Sequence, residues 1–216
     1  DKGFVPPPKL APVQVVIIPM GRDEETRSKT YAVSDKLAAE LRAHGYAGAQ
    51  IRVKVDKREK ESPGFKYNDW EMHGACVRVE IGPRDLEAGH CVMARRDTGE
   101  KSTLPLDDNL VAHIAGQLDA MQQNLFARAV AFREENTRRV DTWAEFEAAF
   151  SGEDAPGFIV AHWDGTAETE AAISEKTKAT IRCIPLTPLH PDDAKPGACV
   201  YSGKPSTQRV VFAKAY

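Results

Sequence analysis

Two hydrophobic periods alternate along the chain, and the switches between them mark out its elements. "VQVVIIP" (residues 13–19) is almost unbroken apolar and β-branched, the pattern of a strand buried on both faces. In "RSKTYAVSDKLAAELRAHG" Val33, Leu37 and Leu41 recur at helical spacing, and Gly45 supplies a stop. "IRVKV" returns to period two, with Ile51, Val53 and Val55 opposite Arg52 and Lys54. Strand, helix, strand at this spacing predicts a right-handed βαβ unit with some parallel pairing.

A short helix is expected over "SPGFKYNDWEMHG", capped by Ser62, opened by Pro63 and closed by Gly74. Phe65, Trp70 and Met72 read as its core residues. The next strand, "ACVRVEIGPRD", sets Val77, Val79 and Ile81 against Arg78 and Glu80. "HCVMARR" and "KSTLPL", joined by "DTGE", predict a hairpin. From Asp108 to about Arg139 the stripe Val111, Ile114, Leu118, Met121, Leu125 and Phe132 predicts one helix of about 45 Å. Thr142 and Glu145 form a capping box for "DTWAEFEAAFSG", with Gly152 as its stop. Strand ("FIVAHW"), helix (near 167–178), strand ("ATIRCIPL"), proline-rich loop and strand ("RVVFAKAY") complete a small α+β unit. The boundary is placed near residue 135, giving units over 13–135 and 136–216. The lead-in "PPPKLAP" reads as an extended polyproline linker over 1–12.

Composition changes this picture little. Hydrophobic content of 42% and charged content of 28% are those of a soluble globular protein. No apolar run approaches the ~20 residues of a membrane span, and the opening residues do not resemble a signal peptide. Four scattered cysteines favour a cytoplasmic setting over a disulfide framework. Cys76 and Cys91, each on a strand, read as buried small hydrophobes. His73, His90 and His113 read as surface residues. A net charge of -3 offers no global argument for nucleic acid, although a local basic surface is compatible with it.

Two apparent phosphate loops fail. "TGEKST" has no Gly-Lys pair, and "GACVYSGKP" has proline where Ser or Thr must reach magnesium. A composite signal is more specific. "LAPVQVVIIP", "SPGFKYNDWEMHGACVRVEIGPRD", "RRDTGEK", "TIRCIP" and "VVFAKAY" occur in that order. Together they resemble the C-terminal half of prolyl-tRNA synthetases of the archaeal and eukaryote-like type, over essentially all 216 residues.

The resemblance implies an α/β anticodon-binding domain, a mixed sheet with flanking helices, followed by a small α+β C-terminal domain. It implies a linker over 1–12 from a catalytic domain that lies outside this chain. ATP and Mg would serve that domain, and no cofactor is expected here. The parent would be a homodimeric, cytoplasmic proline–tRNA ligase, and the implied partners are tRNA with a proline anticodon and the catalytic domain. Rivals are a threonyl or glycyl synthetase fragment and a protein-interaction module.

On this resemblance the anticodon-reading positions fall on Glu71, Arg78, Arg84 and Lys101. A carboxylate suits the N1 and N2 donors of guanine, and cations suit its O6 and N7 acceptors. Tyr67, one helical turn before Glu71, could stack on an unpaired base. Without the family, Arg78 reads as a solvated strand residue or a partner for Glu80. The family's zinc-ligand positions fall on Asp164, Thr169, Cys199 and Ser202, where one thiolate of four remains. Neutral hydroxyls are poor zinc ligands, so no metal is expected, and His162 and His190 have no spacing that would recruit them. A Ser202 or Asp164 hydrogen bond is expected in its place, with Phe158, Trp163, Ile181, Ile184 and Val211 as packing residues. The C-terminal carboxylate, on Tyr216, is expected to act toward the catalytic domain.

Overall fold

A computed structural model describes residues 3–151 and 157–214. The chain divides into two compact units, 1–127 and 128–216. In the first, β1 (Val15–Pro19) is buried along its whole length. It pairs in parallel with β2 (Val53–Val55) on one side and β3 (Val77–Ile81) on the other. The crossovers are α1 (Glu24–His44), capped by the Asp23 carboxylate, and α2 (Pro63–Met72), capped by the Ser62 hydroxyl. The strand expected to run through "GPRD" ends at Ile81, because Gly82 and Pro83 open a short helix, α3 (Pro83–Glu87), which leads to β4 (His90–Arg95) and β5 (Lys101–Pro105), the strands that extend the sheet antiparallel. The order is β2-β1-β3-β4-β5, a mixed sheet. Helix α4 (Leu110–Glu135) follows, and the division between units falls within it.

Strand alternation sorts the residues between two faces. Val15, Ile17, Val77, Val79 and Ile81 pack with Leu37 and Leu41 of α1 and with Ile114, Leu118 and Met121 of α4. Val16 and Ile18 face the other way, with Val13, Ala75, Tyr67 and Trp70. Arg78 and Glu80, out of phase with the valines, are therefore carried on the α2 side.

In the second unit β6 (Thr137–Arg139) runs parallel to β7 (Phe158–His162). Helices α5 (Trp143–Ser151) and α6 (Ala167–Thr177) precede and follow β7. Strand β8 (Ala179–Cys183) leads through a 3-10 turn (Pro191–Ala194) to the small ribbon of β9 (Gly197–Ala198) and β10 (Pro205–Ser206). The last strand, β11 (Arg209–Lys214), lies antiparallel between β7 and β8. Phe146, Phe150, Ile159, Ile173 and Phe212 form the core, with the Phe146 and Phe212 rings edge-on at 5.0 Å.

Several expectations are corrected. The proline-rich lead-in is not simply extended: Leu10 and Ala11 donate to the Pro7 carbonyl in a turn, and Ala11 is fully buried. Gln14 and Arg52 hold it by donating to the Pro8 carbonyl at 2.9 and 3.0 Å. The long helix ends at Glu135 rather than near Arg139, because Thr137–Arg139 pair with β7 as a strand. Phe65 and Met72 are 50% and 66% exposed, since α2 turns Lys66, Tyr67 and Trp70 toward the sheet instead. Phe158 and Ile184 are 39% and 49% exposed rather than packed in the core, whereas Val211 is buried and Trp163 and Ile181 pack at the core's margin. Gly152 and Tyr216 lie outside the described residues.

Candidate nucleic-acid interface

Sheet register assembles the first half of the site. Arg78 sits opposite Ala94 of β4, and Ala94 sits opposite Lys101 of β5. One row across three strands thus places two cations on the face that α2 covers. The helix contributes Tyr67 and Glu71, one turn apart and so on one stripe.

Glu80 is the centre of the cluster. It is 7% exposed, and its carboxylate accepts from Arg78 Nε at 3.0 Å and Tyr67 Oη at 2.9 Å. Lys101 Nζ lies 3.3 Å from the same carboxylate. Arg78 Nη1 donates to Glu71 at 2.7 Å, and its guanidinium lies 4.1 Å from the Tyr67 ring centre. Burial, then the negative charge of Glu80, pushes the Tyr67 phenol above its ordinary pKa, so it remains a neutral donor. The inner members are nearly dry, whereas Glu71 and Lys101 expose 39% and 54% of their side chains. Arg78 Nη2 has no partner among the described residues.

Of the five expected positions, Tyr67, Glu71, Arg78 and Lys101 come together and Arg84 does not. Arg84 is exposed on α3, and its side chain has no hydrogen bond or ion pair among the described residues. Glu80 was not among the expected site residues. The signal for it was its place two residues from Arg78 on the same strand face. Trp70, expected in the core, is half-buried and donates to Asp56 at 2.8 Å. Burial would raise the Asp56 pKa, but hydrogen bonds from Arg58 and Trp70 hold it at about 2.

A second constellation lies in the other unit. Asp164 accepts from the hydroxyls of Ser202 at 2.6 Å, Thr169 at 2.9 Å and Thr166 at 2.9 Å. The Ser202 amide donates to Cys199 Sγ at 3.5 Å. All four expected ligand positions are therefore linked by hydrogen bonds. The donor set is one carboxylate already saturated by hydroxyls, one buried thiol and two neutral hydroxyls. It does not fit a structural zinc ion. His162 bonds Ser206 through Nδ1 at 3.1 Å, and His190 caps the 3-10 turn.

Comparison with known proteins gives the same two-part division. Residues 14–114 match an anticodon-binding domain family, and residues 143–216 match the C-terminal domain of prolyl-tRNA synthetase. The proline–tRNA ligases of Chlorobium phaeovibrioides and Chlorobaculum tepidum are 48% and 49% identical over the whole chain. The crystal structure of prolyl-tRNA synthetase from Cryptosporidium parvum, complexed with L-proline and AMP, superposes over the whole chain with TM-score 0.85 at 30% identity. The chain belongs to the prolyl-tRNA synthetase family. It spans 43% of the length of each of these three relatives. It corresponds to the C-terminal part of a prolyl-tRNA synthetase, and the catalytic domain lies outside these 216 residues. No described helix is long and apolar enough to cross a membrane.

Proposed function

We propose that this chain reads the anticodon of a proline tRNA, as the C-terminal half of a cytoplasmic, homodimeric proline–tRNA ligase whose catalytic domain uses ATP and Mg. The observation that carries this reading is the 2.7 Å pairing of Arg78 with Glu71. A guanidinium N–H beside a carboxylate presents one donor next to two acceptors. That is the complement of the guanine Watson–Crick edge, with O6 accepting and N1 and N2 donating. Glu80 holds Arg78 through Nε, which leaves Nη2 for the base. Tyr67 offers a ring face and Lys101 a half-exposed cation at the rim. Reading of the two guanines of the anticodon starts from this pair.

The test is binding of an anticodon stem-loop to the 216-residue chain. Replacing either guanine by adenine should weaken wild-type binding by about 1–3 kcal/mol. Arg78→Ala should abolish that preference at one of the two positions only. Equal weakening of cognate and adenine-substituted loops by Arg78→Ala would show that Arg78 does not read a base.

A further inference from the structure

The last turn of α2 carries Glu71 but rests only loosely on the sheet. Met72 and His73 are exposed, and a cavity of about 130 Å³ lies between helix and sheet, with Trp70, Glu71, Cys76, Arg78 and Arg96 among its lining residues. Groups that border a void lose the contacts that filled space would give them. The ion pair with Arg78 ties the Glu71 carboxylate but does not fix the backbone that bears it.

The lead-in supplies that support. Gly74, which ends α2, is buried with φ +74°, and a Cβ on it would lie 2.5 Å from Phe4 Cδ1 and 3.1 Å from Pro6 Cδ. The two rings therefore rest directly on backbone three residues after Glu71. Gly3 reaches the same turn, since a Cβ there would lie 3.3 Å from Met72 Sδ and 3.9 Å from the Glu71 carbonyl oxygen. That carbonyl accepts from the Gly74 amide at 3.1 Å. The Arg78 side is met as well: Cys76, two residues before Arg78, directs its thiol to the Pro6 carbonyl at 3.7 Å.

This strap is pinned at its other end. Arg52 donates through Nε to the Ala11 carbonyl at 2.7 Å and through Nη2 to the Lys9 carbonyl at 3.1 Å. The Lys9 amide donates to Gln122 Oε1 at 3.1 Å. Pro6, Pro7 and Pro8 have fixed φ, so anchoring residues 8–11 also holds residues 4–6 in place. Phe4 is 55% exposed, so its ring supports the helix end rather than the core.

We propose that Phe4 is a positioning residue for base reading: docked with Pro6 on Gly74 and Cys76, the strap sets the angle at which Glu71 meets Arg78 and the guanine. The proposal rests on the RNA reading above and adds no contact to RNA. A shift of Glu71 would loosen its bonds to N1 and N2 together and leave contacts to phosphate untouched.

Binding of cognate and adenine-substituted anticodon stem-loops to Phe4→Ala, in the full 216-residue chain, tests it. The variant should lose about fivefold or more of the guanine preference, with the salt dependence of binding unchanged because no cation is removed. In a Glu71→Ala background the same substitution should have no further effect on preference, since the two act through one group. Coupling is reciprocal, so the cognate loop should slow hydrogen exchange at the Phe4 and Val5 amides of the wild-type chain. An intact preference in Phe4→Ala overturns the role. Equal weakening of both loops does so too, because that is the mark of a ring stacking on RNA itself. Exchange at Phe4 and Val5 that the loop leaves unchanged also overturns it, and this measurement decides the matter if Phe4→Ala does not fold. A wild-type chain without guanine preference would sink the reading and the strap together; a preference that Phe4→Ala retains sinks the strap alone.

Discussion

Glu80 shows how a single buried charge organises a recognition surface. Its carboxylate is met by Arg78, Tyr67 and Lys101, so its desolvation is compensated on three sides. Replacing it with glutamine keeps the shape but introduces an amide that cannot accept at both ends. Glu80→Gln should cost about 1–3 kcal/mol in urea unfolding and should also reduce guanine discrimination, because Arg78 loses its Nε anchor. A variant that unfolds earlier yet keeps full discrimination would show that Glu80 serves stability alone. Arg78 was legible in the sequence because the alternation of β3 put it out of phase with the valines. Glu80 was legible only as its neighbour, since its burial comes from α2 lying across the strand and no local pattern encodes that. Arg84 stood apart for a related reason: the chain turns into α3 directly after β3 and carries it away from the row of Arg78 and Lys101.

At the scale of elements, the Asp164 knot ties the start of α6 to the turn between β9 and β10. Burial alone would raise the Asp164 pKa, but hydrogen bonds from Ser202, Thr169 and Thr166 outweigh it and bring the group to about 2, against an ordinary 3.8. A depressed folded-state pKa gives stability that is fully present above about pH 4 and is lost as pH falls toward 2. Asp164→Asn should therefore lower the melting temperature at pH 7 and flatten its decline between pH 4 and 2. A strong chelator should leave the wild-type melting temperature unchanged, because the knot is built of hydrogen bonds; a drop on chelation would mean a metal is holding it. Gly197 of β9 packs closely against His162. A Cβ at Gly197 would run into the His162 imidazole, so Gly197→Ala should cost about 1–3 kcal/mol by overpacking. Most elements were readable from period and caps, including the Thr142–Glu145 box, whose amides and oxygens meet reciprocally at 3.3 and 3.1 Å. The elements that were not readable are short. "TRR" becomes β6 only because β7 is there to pair with it, and β9 and β10 have two residues each, too few to show a period.

For the whole molecule, binding and chemistry separate. The ionisable groups of the Glu80 cluster are tied into ion pairs that hold a geometry, and none is left as a free acid or base in an enclosed cavity. Burial drives the thiols of Cys76 and Cys91 up to about 12 and about 11, so neither is a nucleophile near neutral pH. The two matched families are an anticodon-binding domain and a C-terminal domain, over a chain spanning 43% of its relatives. Activation of an amino acid requires a carboxylate and a nucleotide to be held together in one water-poor site. A cavity of about 770 Å³ beside the ends of β1 and β3 is open to solvent and lined by charges of both signs, among them Arg22, Glu59, Lys66 and Asp85, which does not suit an enclosed, water-poor reaction. The chain should therefore bind a proline anticodon stem-loop and yet show no proline-dependent exchange between ATP and pyrophosphate. Saturating proline and ATP should leave its affinity for the RNA unchanged, since neither would have a site coupled to the cluster. Exchange that co-purifies with the chain would overturn this separation. So would a shift in RNA affinity on adding the two small molecules, because either result requires a catalytic pocket within these 216 residues.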